Sequence, residues 1–347
     1  MAAQGASARQ LAMEGYNVDS LAALSGTGGL VAGLSSFIGR EWTGAVAVLG
    51  HAADGSLSTQ ALLPVRAGVP AVACLPRADE FTGQHVLASG ADDGSVDLWY
   101  FSSGNPSSGT AAELRHAQAQ VAHDAAVLCL AGAAGSGSGG TQQQLASASA
   151  DGTLRLWDCS QLLACTAQLG LAGGPAMHSV AWTADPSLLA SASADGKLGM
   201  WDARLLGSSP VAAAAVGAPA LAVAAVAGGG AGQLLVAGDL LGCLSAFDAR
   251  NMAQPLQQRQ LHGDAVRALA SCSASAGGSH VASGGDDGAI TLLDLSSLAA
   301  SRQLAPARRE GEAPLYVRAL AWACGQQGGQ QQLYRGGWDQ VVACVPL

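Results

Sequence analysis

The chain has 347 residues, with 16 Lys and Arg against 25 Asp and Glu, a formal charge of −9. Affinity for nucleic acid comes from neutralising phosphates with cations, so an acidic chain without a Lys/Arg run is set against it and towards basic partners. Apolar residues make up 49% but aromatics only 4%, and 47 glycines are too many for a helix bundle, which leaves layered β-structure filled by Ala, Val and Leu.

From the amino end, Met1 to Leu21 carries Arg9, Glu14 and Asp19 and has no continuous apolar run, so no secretory leader is expected. Two apolar strands joined by a tight turn then recur along the chain. Copies run from Leu30 to Leu49, Val86 to Trp99, Leu145 to Asp158, Leu189 to Asp202, Leu234 to Asp248, His280 to Asp294 and Tyr334 to Leu347. The third and fourth are nearly identical, LASASADGTLRLWD and LASASADGKLGMWD. Their turn positions fall at Thr43, Asp93, Asp151, Asp195, Leu241, Asp287 and Asp339, and units of this period fill the chain. Further strands are expected before the turns, at Ala125 to Ala131, Ser179 to Thr183 and Ala265 to Ala270. The uncharged stretch Val211 to Gln233 has the length of a membrane span, but Ala and Gly contribute little transfer energy and the period demands a strand there.

This repeat resembles the WD40 repeat, and the resemblance implies an all-β fold, a seven-bladed β-propeller of four-stranded blades. It predicts one propeller over 1–347, with 1–28 holding a ring-closing outer strand at about Met13 to Leu24 and the blades in 29–347. That strand is needed because Gln340 to Val345 reads as the third strand of the last blade, and an open sheet edge invites aggregation. The WD40 pattern further implies a buried chain of His, Ser/Thr, Asp and Trp in each blade. His123, Ser149, Asp151 and Trp157 match it fully, Ser193, Asp195 and Trp201 in three positions, and His262 and Asp287 in two. These are expected to be structural, not a catalytic triad.

Three insertions, Ser102 to Thr110, Gly132 to Gln144 and Gly325 to Gln332, are Gly/Ser/Gln-rich spacers, expected in c–d or a–b connections on one face of the disc. The first unit departs differently. Its short turn is replaced by a loop containing Phe37, Ile38, Arg40, Glu41 and Trp42, placed on the opposite face. Trp and Arg dominate interface energetics, so Phe37, Arg40 and Trp42 are the candidate partner-binding residues. The structural alternative folds Trp42 back onto its own sheet and pairs Arg40 with Glu41 or Asp54.

Leu30 to Val48, with its GLSSFIGREWTG core, resembles the first blade of the methylosome protein 50 family, the WD-repeat partners of protein arginine methyltransferase 5. Val317-Arg318, Trp322 and Gly337 to Val342 (GWDQVV) resemble that family's last blade. The resemblance implies a non-catalytic adaptor that docks on a methyltransferase through the first-blade loop and helps present basic, Arg-rich substrates such as histone tails. The acids Asp92, Asp93, Asp97, Asp286 and Asp287 are candidates for meeting those substrates. A generic scaffold of a chromatin, nuclear-pore or ubiquitin-ligase complex is the alternative. An enzyme is not expected, because the seven histidines show no paired spacing and no G-x-G-x-x-G turn joins a strand to a helix. No metal, cofactor, nucleic acid or membrane is expected. Eight cysteines without a C-x-x-C suggest reduced thiols in the cytoplasm and nucleus.

Overall fold

The computed structural model describes residues 10–24, 26–38, 41–52, 54–75, 84–104, 109–133, 144–160, 163–205, 207–228, 232–274, 278–295, 299–304, 315–324 and 331–347. They form seven four-stranded antiparallel sheets, the blades of a β-propeller. A strand β1 (Gln10–Ala12) precedes blade 1, which is β2 (Asn17–Ala23), β3 (Leu30–Ile38), β4 (Glu41–His51) and β5 (Leu57–Val65). Blade 2 comprises β6 (Ala71–Cys74), β7 (His85–Gly90), β8 (Ser95–Ser102) and β9 (Glu113–Val121). Blade 3 follows as β10 (Val127–Gly132), β11 (Gln144–Ser149), β12 (Thr153–Asp158) and β13 (Ala164–Gly170). In blade 4 the strands are β14 (Met177–Trp182), β15 (Leu188–Ser193), β16 (Lys197–Asp202) and β17 (Ala212–Ala215). Blade 5 holds β18 (Ala220–Gly228), β19 (Gly232–Asp239), β20 (Cys243–Asp248) and β21 (Gln257–Gln260). Blade 6 is built from β22 (Val266–Ala274), β23 (Gly278–Gly285), β24 (Ile290–Asp294) and β25 (Ala299–Leu304). Blade 7 takes β26 (Val317–Cys324), β27 (Gln331–Gly337) and β28 (Val341–Val345) and is completed by β1.

The ring closes as expected, but through an earlier segment. Gln10, Leu11 and Ala12 pair with Ala343, Val342 and Val341, whereas Asn17–Ala23, inside the segment expected to close the ring, is the innermost strand of blade 1. The reason is local. A turn at Glu14-Gly15, with Gly15 at φ 82°, splits Met13 to Leu24 and sends its two sides into different sheets. The uncharged 211–233 stretch becomes β17, β18 and the start of β19. Most of the Gly/Ser/Gln insertions (105–108, 134–143, 325–330) lie outside the described residues, and their flanking strands put them in one c–d and two a–b connections.

Neighbouring blades are held by a repeated contact that uses the glycines. On β7, β19, β23 and β27, a Cβ added at Gly90, Gly238, Gly284 or Gly336 would meet a valine Cγ1 of the next blade at 2.4, 2.5, 2.4 and 2.4 Å. The valines are Val127, Val266, Val317 and Val18, each 0% exposed. Small residues thus serve close sheet-to-sheet approach in a core with few aromatics, where added volume has nowhere to go. Clusters such as Val31, Val46, Val48, Leu87, Trp99 and Phe101 span adjacent blades in the same way.

The residue after each of these inner-strand positions is bulged. Register shifts fall between Val18/Ser20, Val127/Cys129, Met177/Ser179, Ala220/Ala222, Val266/Ala268 and Val317/Ala319. A bulge leaves its extra residue unpaired and re-aims the side chain. The residues so released, Asp19, Leu128, His178, Leu221, Arg267 and Arg318, line a central channel of about 390 Å³, with Pro70 taking the place in blade 2.

Replacing Gly336, where blade 7 receives Val18 of blade 1, tests this packing. Gly336→Val should cost about 1–3 kcal/mol by overpacking, read as a lower thermal midpoint, while Gly55→Ala on an open turn should cost about 1 kcal/mol from its positive φ alone.

Candidate functional site

The b–c turns of all blades share one face with the d–a connections, and the extended hairpin of blade 1 rises on that face. β3 and β4 stay paired out to Phe37↔Trp42 and Ile38↔Glu41, further than the tight Asp-Gly turns of other blades allow. Cross-strand pairing sets the Phe37 and Trp42 rings 5.8 Å apart at 46°, and they remain 62% and 47% exposed. The indole does not fold back on its own sheet. Its Nε1–H donates to the carboxylate of Asp92 in the b–c turn of blade 2. Gly68 makes the room, since a Cβ there would lie 2.2 Å from both that nitrogen and the Asp92 carboxylate. Burial pushes the Asp92 pKa up, and the Trp42 hydrogen bond partly offsets it. Arg40 lies outside the described residues, so only Phe37 and Trp42 of the three expected contact residues are seen at this tip.

A second aromatic group stands on the same face, at the turn of blade 7. Trp338, 47% exposed, donates Nε1–H to Asp19 Oδ1 at 3.1 Å. The Arg318 guanidinium lies 4.3 Å above its ring, and Tyr316 meets it edge-on at 5.7 Å. Asp19 also accepts the Ser35 hydroxyl, and its burial raises its pKa above the ordinary carboxylate value. The turn continues into Gln340, which holds φ 59° where other blades use glycine. Sequence reasoning saw this Trp only as part of a resemblance; its pairing with Asp19 exists only because the ring closes. In blade 5 the turn places Leu240 and Leu241 in solvent on this face as well.

A buried chain runs through blade 3, but through a different hydroxyl from the one expected. His123 Nδ1 meets Asp151 Oδ2 at 2.9 Å, but its Nε2 meets Ser147 Oγ at 2.7 Å, and Trp157 Nε1–H donates to Ser147 at 3.0 Å. The linking hydroxyl is therefore Ser147, not Ser149. Hairpin register explains it: Trp157 sits opposite Leu145, and its long side chain reaches the diagonal neighbour, Ser147. Ser149 instead donates to the Ala125 carbonyl at 3.1 Å and accepts the Asp151 N–H at 3.1 Å. Blade 4 repeats the correction, with Trp201 donating to Ser191 at 2.8 Å while Ser193 bonds to Asp195. His262 joins Asp287 at 3.1 Å and Ser283 at 2.8 Å, and Trp99 donates to Ser89 at 2.8 Å. The side chain of His123 is 0% exposed and the Ser147 hydroxyl is engaged twice, so substrate has no access to the set.

The candidate acids are engaged too. Asp97 meets His116 at 2.9 Å, Asp286 meets Arg267 at 2.8 Å, and Asp93 accepts the Ser95 N–H at 3.0 Å. Among the described residues no group of three or more His, Cys, Asp or Glu is placed to hold a metal, and no helix is long and apolar enough to cross a membrane. Burial pushes the Cys159 thiol up to about 12, so it is not a thiolate at neutral pH.

The family model described as WD domain, G-beta repeat matches residues 116–158, 170–202 and 253–294. Each match ends on the third strand of a blade, in blades 3, 4 and 6. The protein is thus a seven-bladed β-propeller carrying WD40 repeats, a fold that serves as a protein-interaction scaffold and is generally non-catalytic. A comparison with curated proteins finds no match.

Two outcomes test the buried chain. Ser147→Ala strands His123 Nε2 and Trp157 Nε1 without partners and should cost about 2–4 kcal/mol, against about 1 kcal/mol for Ser149→Ala, in denaturant unfolding. Burial also pulls the His123 pKa below its ordinary value, against the raising pull of Asp151. As pH falls below about 6.5, the unfolded chain takes a proton that the native state refuses, so stability present above that pH is lost in acid. The thermal midpoint should fall from pH 7.5 to 5.5, and His123→Asn should flatten that slope. His85 and His178, whose pKa values burial also lowers, leave a residual dependence.

Proposed function

We propose that this protein is a non-catalytic adaptor subunit of an arginine methyltransferase complex, gripping a protein arginine methyltransferase 5-like enzyme through the blade 1 hairpin. The observation that carries the reading is Trp42: a half-exposed indole beside an exposed Phe37, anchored by its nitrogen to Asp92 so that the ring is pre-positioned at the hairpin tip. An aromatic anchor held in one geometry loses little side-chain freedom on docking, which is where interface energy concentrates. The GLSSFIGREWTG segment adds the resemblance to the methylosome protein 50 family at this same hairpin. The methyl donor would be bound by the partner, and the formal charge of −9 favours basic, Arg-rich substrates such as histone tails. Such a subunit would work in the cytoplasm and nucleus.

One finding favours the broader alternative, a scaffold of another complex: the matched repeats lie in blades 3, 4 and 6, away from the hairpin. Co-purification separates the two. Trp42→Ala should weaken binding to the candidate methyltransferase by about 2 kcal/mol or more, roughly thirtyfold, with the thermal midpoint unchanged. Unchanged binding by a folded variant, or recovery of a different complex without the methyltransferase, supports the alternative.

A further inference from the structure

The channel mouth between blades 6 and 7 carries two arginines with more hydrogen-bonding capacity than the protein uses. Arg267 and Arg318 hold the same bulge position on neighbouring inner strands, β22 and β26. Both approach one carboxylate through Nε. Arg267 Nε donates to Asp286 Oδ2 at 2.8 Å, while Arg318 Nε lies 3.4 Å from Oδ1 without forming a hydrogen bond. Among the described residues neither guanidinium uses its Nη groups in a hydrogen bond to the protein. Arg318 is held instead by stacking, 4.3 Å from the Trp338 ring centre and 5.7 Å from that of Tyr316, so its planar fork is fixed in place. Asp19, the other acid near Arg318, is committed to Trp338 and Ser35.

We infer that this mouth binds a carboxylate side chain of an acidic peptide segment, received by the Arg267 and Arg318 forks. Two guanidiniums share a single aspartate, and a ligand carboxylate supplies the second acceptor, taking the bidentate pair for which the fork is shaped. Burial draws the Arg318 pKa below its ordinary value, Asp286 opposes that shift and Arg267 adds to it, so an added anion would favour the charged guanidinium. His178 faces the same cavity, and burial and Arg267 lower its pKa in turn. The occupant is narrow. A channel of about 390 Å³ takes side chains of an extended segment and not a folded domain or a duplex. The formal charge of −9 repels acidic chains at long range, so capture is confined to the short-range forks. The site is separate from Trp42 and does not depend on the methyltransferase reading.

The test is fluorescence anisotropy with the full chain and a labelled alternating Gly-Glu octapeptide. Saturable binding is expected, weakened about tenfold or more by Arg318→Ala and by Arg267→Ala, each with native near-UV circular dichroism. Arg267→Lys, which keeps the charge and loses the fork, should also weaken it while leaving the fold intact. A change in Trp338 fluorescence should accompany binding and vanish in Trp338→Phe. Absence of saturable binding at millimolar peptide, equal affinity in the folded arginine variants, or a Gly-Lys octapeptide binding equally well would overturn the proposal. So would acetate or inorganic phosphate that competes as strongly as the peptide, carboxylate for carboxylate, since the site would then hold a free anion only.

Discussion

Valine packed onto glycine across four of the seven blade boundaries is the contact on which the rest of this molecule depends. Val18 on Gly336, Val127 on Gly90, Val266 on Gly238 and Val317 on Gly284 bring neighbouring sheets closer than any larger residue permits. With the valine side chain turned into the neighbouring blade, the next residue leaves the ladder as a bulge and faces the channel. Channel chemistry is therefore set one residue away from core packing. A chain with 4% aromatics can build a large core in this way, because close approach of small side chains replaces bulk.

The same geometry organises the rim. Each b–c turn lies beside the next blade, so a residue at the tip of one hairpin finds its partner on a neighbour. Trp42 of blade 1 bonds to Asp92 of blade 2, and Trp338 of blade 7 bonds to Asp19 of blade 1. Both indoles satisfy their only polar donor on the protein and stay about half exposed, Trp338 with Arg318 stacked on its ring, an arrangement that suits an aromatic to an interface. A single arc of the disc, blades 7, 1 and 2, thus carries the two exposed tryptophans. The channel wall of blades 6 and 7 adjoins it with a different chemistry, paired guanidiniums. Two surfaces of different chemistry then share one face: an aromatic rim bordered by acids, and a channel mouth lined by two arginines.

Much of the fold was legible because its signals are local. An Asp-Gly pair between apolar runs dictates a turn, and Gly94, Gly152, Gly196 and Gly288 all adopt the positive φ that the turn requires. Period and strand alternation then give seven blades. What failed was register and closure. Ser147 and Ser149 are two residues apart on one strand, and only the pairing of Trp157 with Leu145 reveals which hydroxyl the indole reaches. The closing strand has just three paired positions, too short to stand out beside Asn17–Ala23, which looks more like a strand and belongs to another sheet. At the candidate site, Phe37 and Trp42 were recognisable as large groups in an unusual loop. Trp338, Arg267 and Arg318 were not: Asp19 reaches Trp338 only when the ring is shut, and the two arginines meet Asp286 only through the pairing and packing of the strands of blades 6 and 7.

Hydrogen–deuterium exchange of the protein alone and with the methyltransferase tests the central claim, that the blade 1 hairpin is the docking point, most directly. Slowed exchange should appear over 34–46 and in the adjoining 90–95 turn, with the a–b connections of the opposite face unchanged. Slowing confined to that opposite face or to the outer strands, with the Trp42 hairpin exchanging as in the free protein, would contradict the account.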